Sequence, residues 1–130
     1  MAGRLSRNTV TLELPFPVTL NKIWRLGRHG FHKSQQYSAW LKEAGNMINI
    51  QKPGRIEGDY CLSVSLCRPD RRKRDLDNIA AKGVNDLLVK HGVVEDDSLC
   101  VETSSRWVED GPACLVVVSA ADRKRAGFCE

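Results

Sequence analysis

From Thr9 to Leu14 apolar and polar residues alternate, with Val10, Leu12 and Leu14 on one side, which predicts a strand with one buried face. Pro15-Phe16-Pro17 ends it, because each proline ring fixes its own φ and drives its predecessor to extended backbone. The chain from there to about Lys33 reads as an extended loop. After Ser34, a candidate helix cap, Tyr37, Trp40, Leu41, Ala44, Met47 and Ile48 recur in steps of three and four. That spacing predicts an amphipathic helix, stopped by Pro53-Gly54. Tyr60, Leu62, Val64 and Leu66 alternate with Cys61, Ser63, Ser65 and Cys67, a second strand closed by Pro69. A second helix is predicted from about Asn78 to His91, with Ala80, Val84, Leu87 and Leu88 as its stripe. Asp77 or Asn78 suits its cap, and Gly92 suits the left-handed position after its end. Leu99 to Trp107 and Cys114 to Ala120 are two further strands, joined by a turn through Glu109-Asp110-Gly111-Pro112 and close enough for a hairpin. The order β-α-β-α-β-β predicts an α+β domain: a small mixed sheet packed by two main helices.

Size fits that picture. A chain of 130 residues builds one core, so 1–130 is read as a single domain with its core at about 9–120 and loose basic ends at 1–8 and 121–130. No apolar run approaches the ~18–20 residues that span a bilayer. The start Met1-Ala2-Gly3-Arg4-Leu5-Ser6-Arg7 lacks the apolar stretch of a secretory signal, so the expected compartment is the cytoplasm. Five cysteines, Cys61, Cys67, Cys100, Cys114 and Cys129, form no CxxC pair and no zinc spacing with the three histidines. They read as small hydrophobes in a reducing environment.

Charge changes the picture more by position than by amount. The net charge is +4, but the cations collect at Arg25, Arg28, His29, His32 and Lys33, at Arg68, Arg71, Arg72, Lys73 and Arg74, and at Arg123, Lys124 and Arg125. Such clusters are the footprint of a phosphate-backbone binder. The second cluster runs straight into Asp75-Leu76-Asp77-Asn78. In extended chain, residues two apart point the same way, so Asp75 and Asp77 present two carboxylates on one side. Paired anionic oxygens repel unless a cation lies between them, and hard divalent ions such as Mg²⁺ take such donors. Glu95-Asp96-Asp97-Ser98 offers further carboxylates in a turn that the second helix brings back towards the sheet. Together such acids orient a metal-bound water for attack on a phosphodiester, while the neighbouring guanidinium groups hold the backbone. Taken singly, Asp-x-Asp is also a helix cap, Asp-Asp-Ser an ordinary turn, and a basic run a solvated loop.

With these residues in view, the chain resembles the RusA-type Holliday-junction resolvases from Leu12 to about Ser119. Three stretches carry the likeness: Leu14-Pro15-Phe16-Pro17 with Asn21; Pro69-Asp70-Arg71-Arg72-Lys73-Arg74-Asp75-Leu76-Asp77-Asn78; and Lys82 with Asp86, then Asp96-Asp97-Ser98. The resemblance implies a homodimeric, Mg²⁺-dependent endodeoxyribonuclease (Mn²⁺ as a substitute) that resolves four-way DNA junctions in recombination and repair, encoded by a bacterium or a phage. It implies Asp75, Asp77 and Asp97 as catalytic and metal-binding carboxylates, with Asp96 as the alternative if the turn register slips by one. Lys82 is the implied catalytic lysine, supported by Asp86 and Asn78. Asn21, Arg25, Arg28, Lys33, Arg68, Arg71, Arg72, Lys73 and Arg74 are the implied DNA contacts. The lysine stands seven residues after Asp75, where the family has six, so one residue is extra among Ile79, Ala80 and Ala81. Ile79 also falls about 100° off the helical stripe, and looping out one residue restores it, which predicts a π-bulge or irregular first turn. Lys82 and Asp86 are four apart and also suit a plain surface ion pair. Two related cuts in one junction call for two copies about a two-fold axis, with Val93, Val94 or the outer face of the last hairpin as candidate contacts. The rival readings are a basic DNA-binding module without catalysis and a nuclease of the same fold acting on flaps or forks.

Overall fold

The computed structural model describes residues 8–18, 24–27, 30–68 and 81–121. Its main sheet has the strand order β1-β6-β4-β5, with β1 Thr9–Leu14, β4 Tyr60–Cys67, β5 Cys100–Val108 and β6 Cys114–Ala120. Helices α1 (Gln35–Gln51) and α2 (Ala81–Lys90) complete the predicted order. The mixed sheet is as expected: β6 runs antiparallel to both β1 and β4, and β4 runs parallel to β5. Among the described residues, no helix is long and apolar enough to cross a membrane.

The alternation seen in the sequence is the burial pattern of the strands. Val10, Leu12 and Leu14 of β1, Tyr60, Leu62, Val64 and Leu66 of β4, and Cys114, Val116 and Val118 of β6 all turn to one face. They meet Tyr37, Trp40, Leu41, Ala44 and Ile48 of α1 and Val84, Leu87 and Leu88 of α2 in one core. Ser34 caps α1 as expected, its hydroxyl accepting from the Tyr37 N–H at 3.0 Å. The helix ends one step before Pro53, on Lys52 in the left-handed region (φ 51°), whose N–H reaches the Ile48 carbonyl at 2.9 Å.

Three sequence expectations are corrected. The last two strands do not form a hairpin: β4 lies between them, and residues 109–113 cross its end. Five residues easily span the ~10 Å between alternate strands, and the Cys67 N–H ties the crossing down by donating to the Ala113 carbonyl at 3.1 Å. The stretch up to Lys33 is not all loop, because Trp24–Gly27 (β2) and Gly30–Lys33 (β3) pair antiparallel as a separate two-stranded ribbon. Two residues separate these strands, the length of a tight hairpin connection. Finally, Val93 and Val94 are not available to a partner, being buried in this chain's own core. From Ala81 onward α2 is α-helical; Ile79 and Ala80, where an irregular turn is expected, lie outside the described residues, as do Asp77 and Asn78 at the expected cap.

Candidate functional site

The sequence from the end of α2 to β5 fixes an acidic turn. Gly92 has φ 72°, a conformation that penalises any residue with a Cβ, and the two N–H groups after the helix fold back onto it. Gly92 donates to the Val89 carbonyl at 3.1 Å and Val93 to the Leu88 carbonyl at 2.9 Å, the double closure of a Schellman motif. Val93 and Val94 then drop into the core, and the Val93 carbonyl accepts from the Ile56 N–H at 2.8 Å. The chain re-emerges at Glu95 with its direction set. Arg55 and Glu95 approach to 3.7 Å as a half-exposed pair of small energetic weight.

Asp96 and Asp97 have different environments. Asp96 caps the 3₁₀ turn Asp97–Leu99: its carboxylate accepts from the Ser98 N–H at 3.1 Å and from the Ser98 hydroxyl. The Ser98 hydroxyl, its N–H and the Asp97 N–H hold the Asp96 carboxyl below its ordinary pKa. Asp97 is exposed, and among the described residues no side chain is hydrogen-bonded to its carboxylate. An Asp-x-Ser turn is a local capping pattern, so the sequence held a signal separating the two acids.

Beneath this turn lies a contact that sequence reasoning missed. Tyr60, fully buried at the start of β4, donates its hydroxyl to Asn85 Oδ1 of α2 at 2.6 Å. Burial raises the Tyr60 pKa, and the nearby Cys100, Asp97 and Asp96 raise it further. The pairing of β4 with β5 also shifts here: Tyr60 faces Cys100 but Cys61 faces Glu102, leaving Val101 as the extra residue of a bulge. Bulges re-aim the chain, and this one sits two residues past the acidic turn.

Asp86 is half-buried rather than surface-exposed, with Oδ2 3.5 Å from the Tyr37 hydroxyl. Burial, then Asp86, pushes the Tyr37 pKa up to about 12. Lys82 lies in the first turn of α2, four residues before Asp86. Arg25 lies in β2 and Lys33 in β3. Arg68 follows β4, exposed, with its guanidinium carbon 4.3 Å from the centre of the Trp107 ring. Asn21, Arg28, Arg71, Arg72, Lys73, Arg74, Asp75, Asp77 and Asn78 lie outside the described residues. Among the described residues, no three His, Cys, Asp or Glu side chains gather as metal donors. The described cysteines are free thiols, with Cys114 buried and Cys61, Cys67 and Cys100 half-buried.

The described residues form a small α+β domain whose β4-α2-β5 crossover includes in sequence the basic run from Arg68 to Arg74 and ends at the exposed Asp97, a layout that suits a protein acting on phosphate esters. Within that class the chain belongs to the RusA family, whose model, described as Endodeoxyribonuclease RusA, matches residues 15–119. A crossover junction endodeoxyribonuclease RusA of Escherichia coli (strain K12) is 33% identical over 99 residues, covering 73% of this chain and 79% of the relative. One from Shigella sonnei (strain Ss046) is likewise 33% identical over 99 residues. The enzyme of that name from Enterobacteria phage HK97 is 33% identical over 91 residues, covering 69% of this chain and 75% of its own.

Proposed function

We propose that this protein is a Mg²⁺-dependent endodeoxyribonuclease that resolves four-way DNA junctions, working as a homodimer in the cytoplasm of a bacterium or phage-infected cell. The observation that carries the reading is the contrast at the acidic turn, in a chain of the RusA family. Asp96 gives its Oδ2 to the turn through Ser98 and Asp97 does not, which favours Asp97 as the carboxylate for an external cation, with Asp96 as the alternative. An exposed, unengaged carboxylate on a fixed turn suits a hard divalent ion, which accepts oxygen donors and keeps several waters. Asp97 would hold that ion with Asp75 and Asp77, and Mn²⁺ would substitute for Mg²⁺. When bound, the ion supplies an activated water and offsets charge on the phosphate.

The protein's own residues do the remaining work. Lys82 would face the scissile phosphate, and Asp86, held beside Tyr37, would orient it, with Asn78 as a further support. Arg68, Arg71, Arg72, Lys73 and Arg74, with Asn21, Arg25, Arg28 and Lys33, would grip the backbone by charge-assisted hydrogen bonds. A junction asks for two symmetry-related cuts, so two copies about a two-fold axis match it.

The test is incubation of purified protein with an end-labelled four-way junction, with Mg²⁺ and with EDTA, beside Asp77→Asn and Asp97→Asn. Paired, metal-dependent nicks that both variants lose, with junction binding retained, are expected. Binding unaffected by metal and no nicking by the unaltered protein would refute the nuclease reading. Equal cleavage of flap or forked DNA would refute the junction preference.

A further inference from the structure

We propose that Phe16 and Trp107 form an aromatic footing that holds Arg68 as a fixed contact for a DNA phosphate, at the opposite end of the sheet from the acidic turn. The inference rests on the DNA-acting reading above but not on catalysis. β1, β4 and β5 run in the same direction, so Phe16, Arg68 and Trp107, which lie at or just beyond their C-terminal ends, gather at one end of the sheet. The Phe16 and Trp107 rings stack with centroids 6.2 Å apart and planes 15° from parallel. Arg68 sits against the same indole, its guanidinium carbon 4.3 Å from the ring centre. Trp107 is half-buried and packs against the core, so it cannot turn away from this arrangement cheaply.

The indole contact pre-orders this arginine for a ligand. A free guanidinium carries about 2 kcal/mol of rotamer entropy, and the aromatic contact removes part of that freedom before any ligand arrives. Cation–π contact occupies the face of the group and leaves its N–H donors available for a phosphate fork. Among the described residues no carboxylate is paired with Arg68. The position selects the kind of anion. Trp107 is seven residues along β5 from Cys100, roughly 23 Å at ~3.3 Å per residue. Phosphates of one DNA strand recur every ~3.4 Å along the axis, so that span covers about seven of them. A mononucleotide held at Arg68 cannot also reach a cation held at the acidic turn; a duplex arm can, which is where this contact rests on the proposed function.

The experiment measures binding to a four-way junction in EDTA, where cleavage cannot interfere, across a series of KCl concentrations. Arg68→Gln is expected to weaken binding by roughly five- to tenfold and to lower the slope of log affinity against log salt by about one, the signature of one lost phosphate contact. Trp107→Leu keeps the charge and is expected to weaken binding about threefold. In the double variant the Trp107 change should add nothing to the Arg68→Gln loss. Trp107→Phe keeps a ring and should bind nearly as the parent does, which covers the case in which the leucine variant misfolds. An unchanged salt slope in folded Arg68→Gln, or full additivity of the two changes, overturns the proposal. Binding that shows the Arg68 effect in a protein without nicking activity would sustain this contact while removing the nuclease reading; no DNA binding at all would remove both.

Discussion

Replacing Tyr60 by phenylalanine removes one oxygen from the most enclosed polar contact described beneath the acidic turn. The ring stays, so no cavity opens and the change isolates the 2.6 Å bond from the Tyr60 hydroxyl to Asn85. A typical intramolecular hydrogen bond contributes about 1 kcal/mol net, and stranding a buried acceptor costs more. Asn85 is half-buried, so water can reach part of its amide, and the loss should stay near 1 kcal/mol. For a chain of 130 residues that is a fall in Tm of roughly 4 °C. Urea unfolding of Tyr60→Phe, Asn85→Ala and the double variant measures it, with a coupling energy of about 1 kcal/mol expected. Alkaline pH gives a second check. The folded chain holds the Tyr60 proton more tightly than the unfolded chain does, so stability falls as pH climbs past about 10. The phenylalanine variant should lose less over that interval. Additive single changes, or a Tyr60→Phe loss below about 0.3 kcal/mol, would refute the assigned role of the bond.

The other expectations use separate parts of the fold. Burial pushes the Cys114 thiol up to about 12, so Cys114 should resist iodoacetamide at pH 8 in the native protein while Cys61, Cys67 and Cys100 react faster; peptide mapping after brief labelling reads the order. A Cβ at Gly45 of α1 would meet the His91 imidazole at 2.8 Å, which opposes the ~1 kcal/mol helix gain of Gly45→Ala. That substitution should therefore stabilise the protein to denaturant more in a His91→Ala background than in the parent, and equal gains in the two would refute the contact. Asp96→Ala, which removes the acceptor of the Ser98 N–H, should lower the Tm, whereas Asp97→Ala should leave it unchanged; equal effects in thermal unfolding would contradict their separate roles.

Elements whose information is local were legible in the sequence. Period-two alternation at Val10, Leu12 and Leu14 and at Tyr60, Leu62, Val64 and Leu66 marks the faces that are buried. Ser34 and Gly92 act where their side-chain chemistry and φ freedom predict. What stayed hidden depends on long-range geometry. A five-residue connection allows either a hairpin or a crossing over the end of one strand, and the chain takes the crossing because β4 accepts partners on both edges. The four-residue strands β2 and β3 are too short for alternation to register. The Val101 bulge reverses the phase of β5, so no single period places both Cys100 and Trp107 against the core. At the candidate site, sequence picks out Asp96 and Asp97 as a pair, and the structure distinguishes them by the Ser98 bonds that Asp96 accepts.

The crossover explains why one short chain suits a long polyanion. β4 and β5 run parallel, so the connection through α2 must leave at one end of the sheet and return at the other. Arg68 stands where the chain leaves, and Asp97 stands where it returns. The return point is fixed by the left-handed Gly92, the buried Val93 and Val94, and the Tyr60–Asn85 bond. The exit point is fixed by the indole under Arg68. A cation and an acid are thereby held about one strand-length apart by backbone geometry rather than by a direct ion pair. Arg68 suits a phosphate directly, whereas Asp97 suits one only through a bound cation, and a DNA arm carrying phosphates along its whole length can meet both conditions at once.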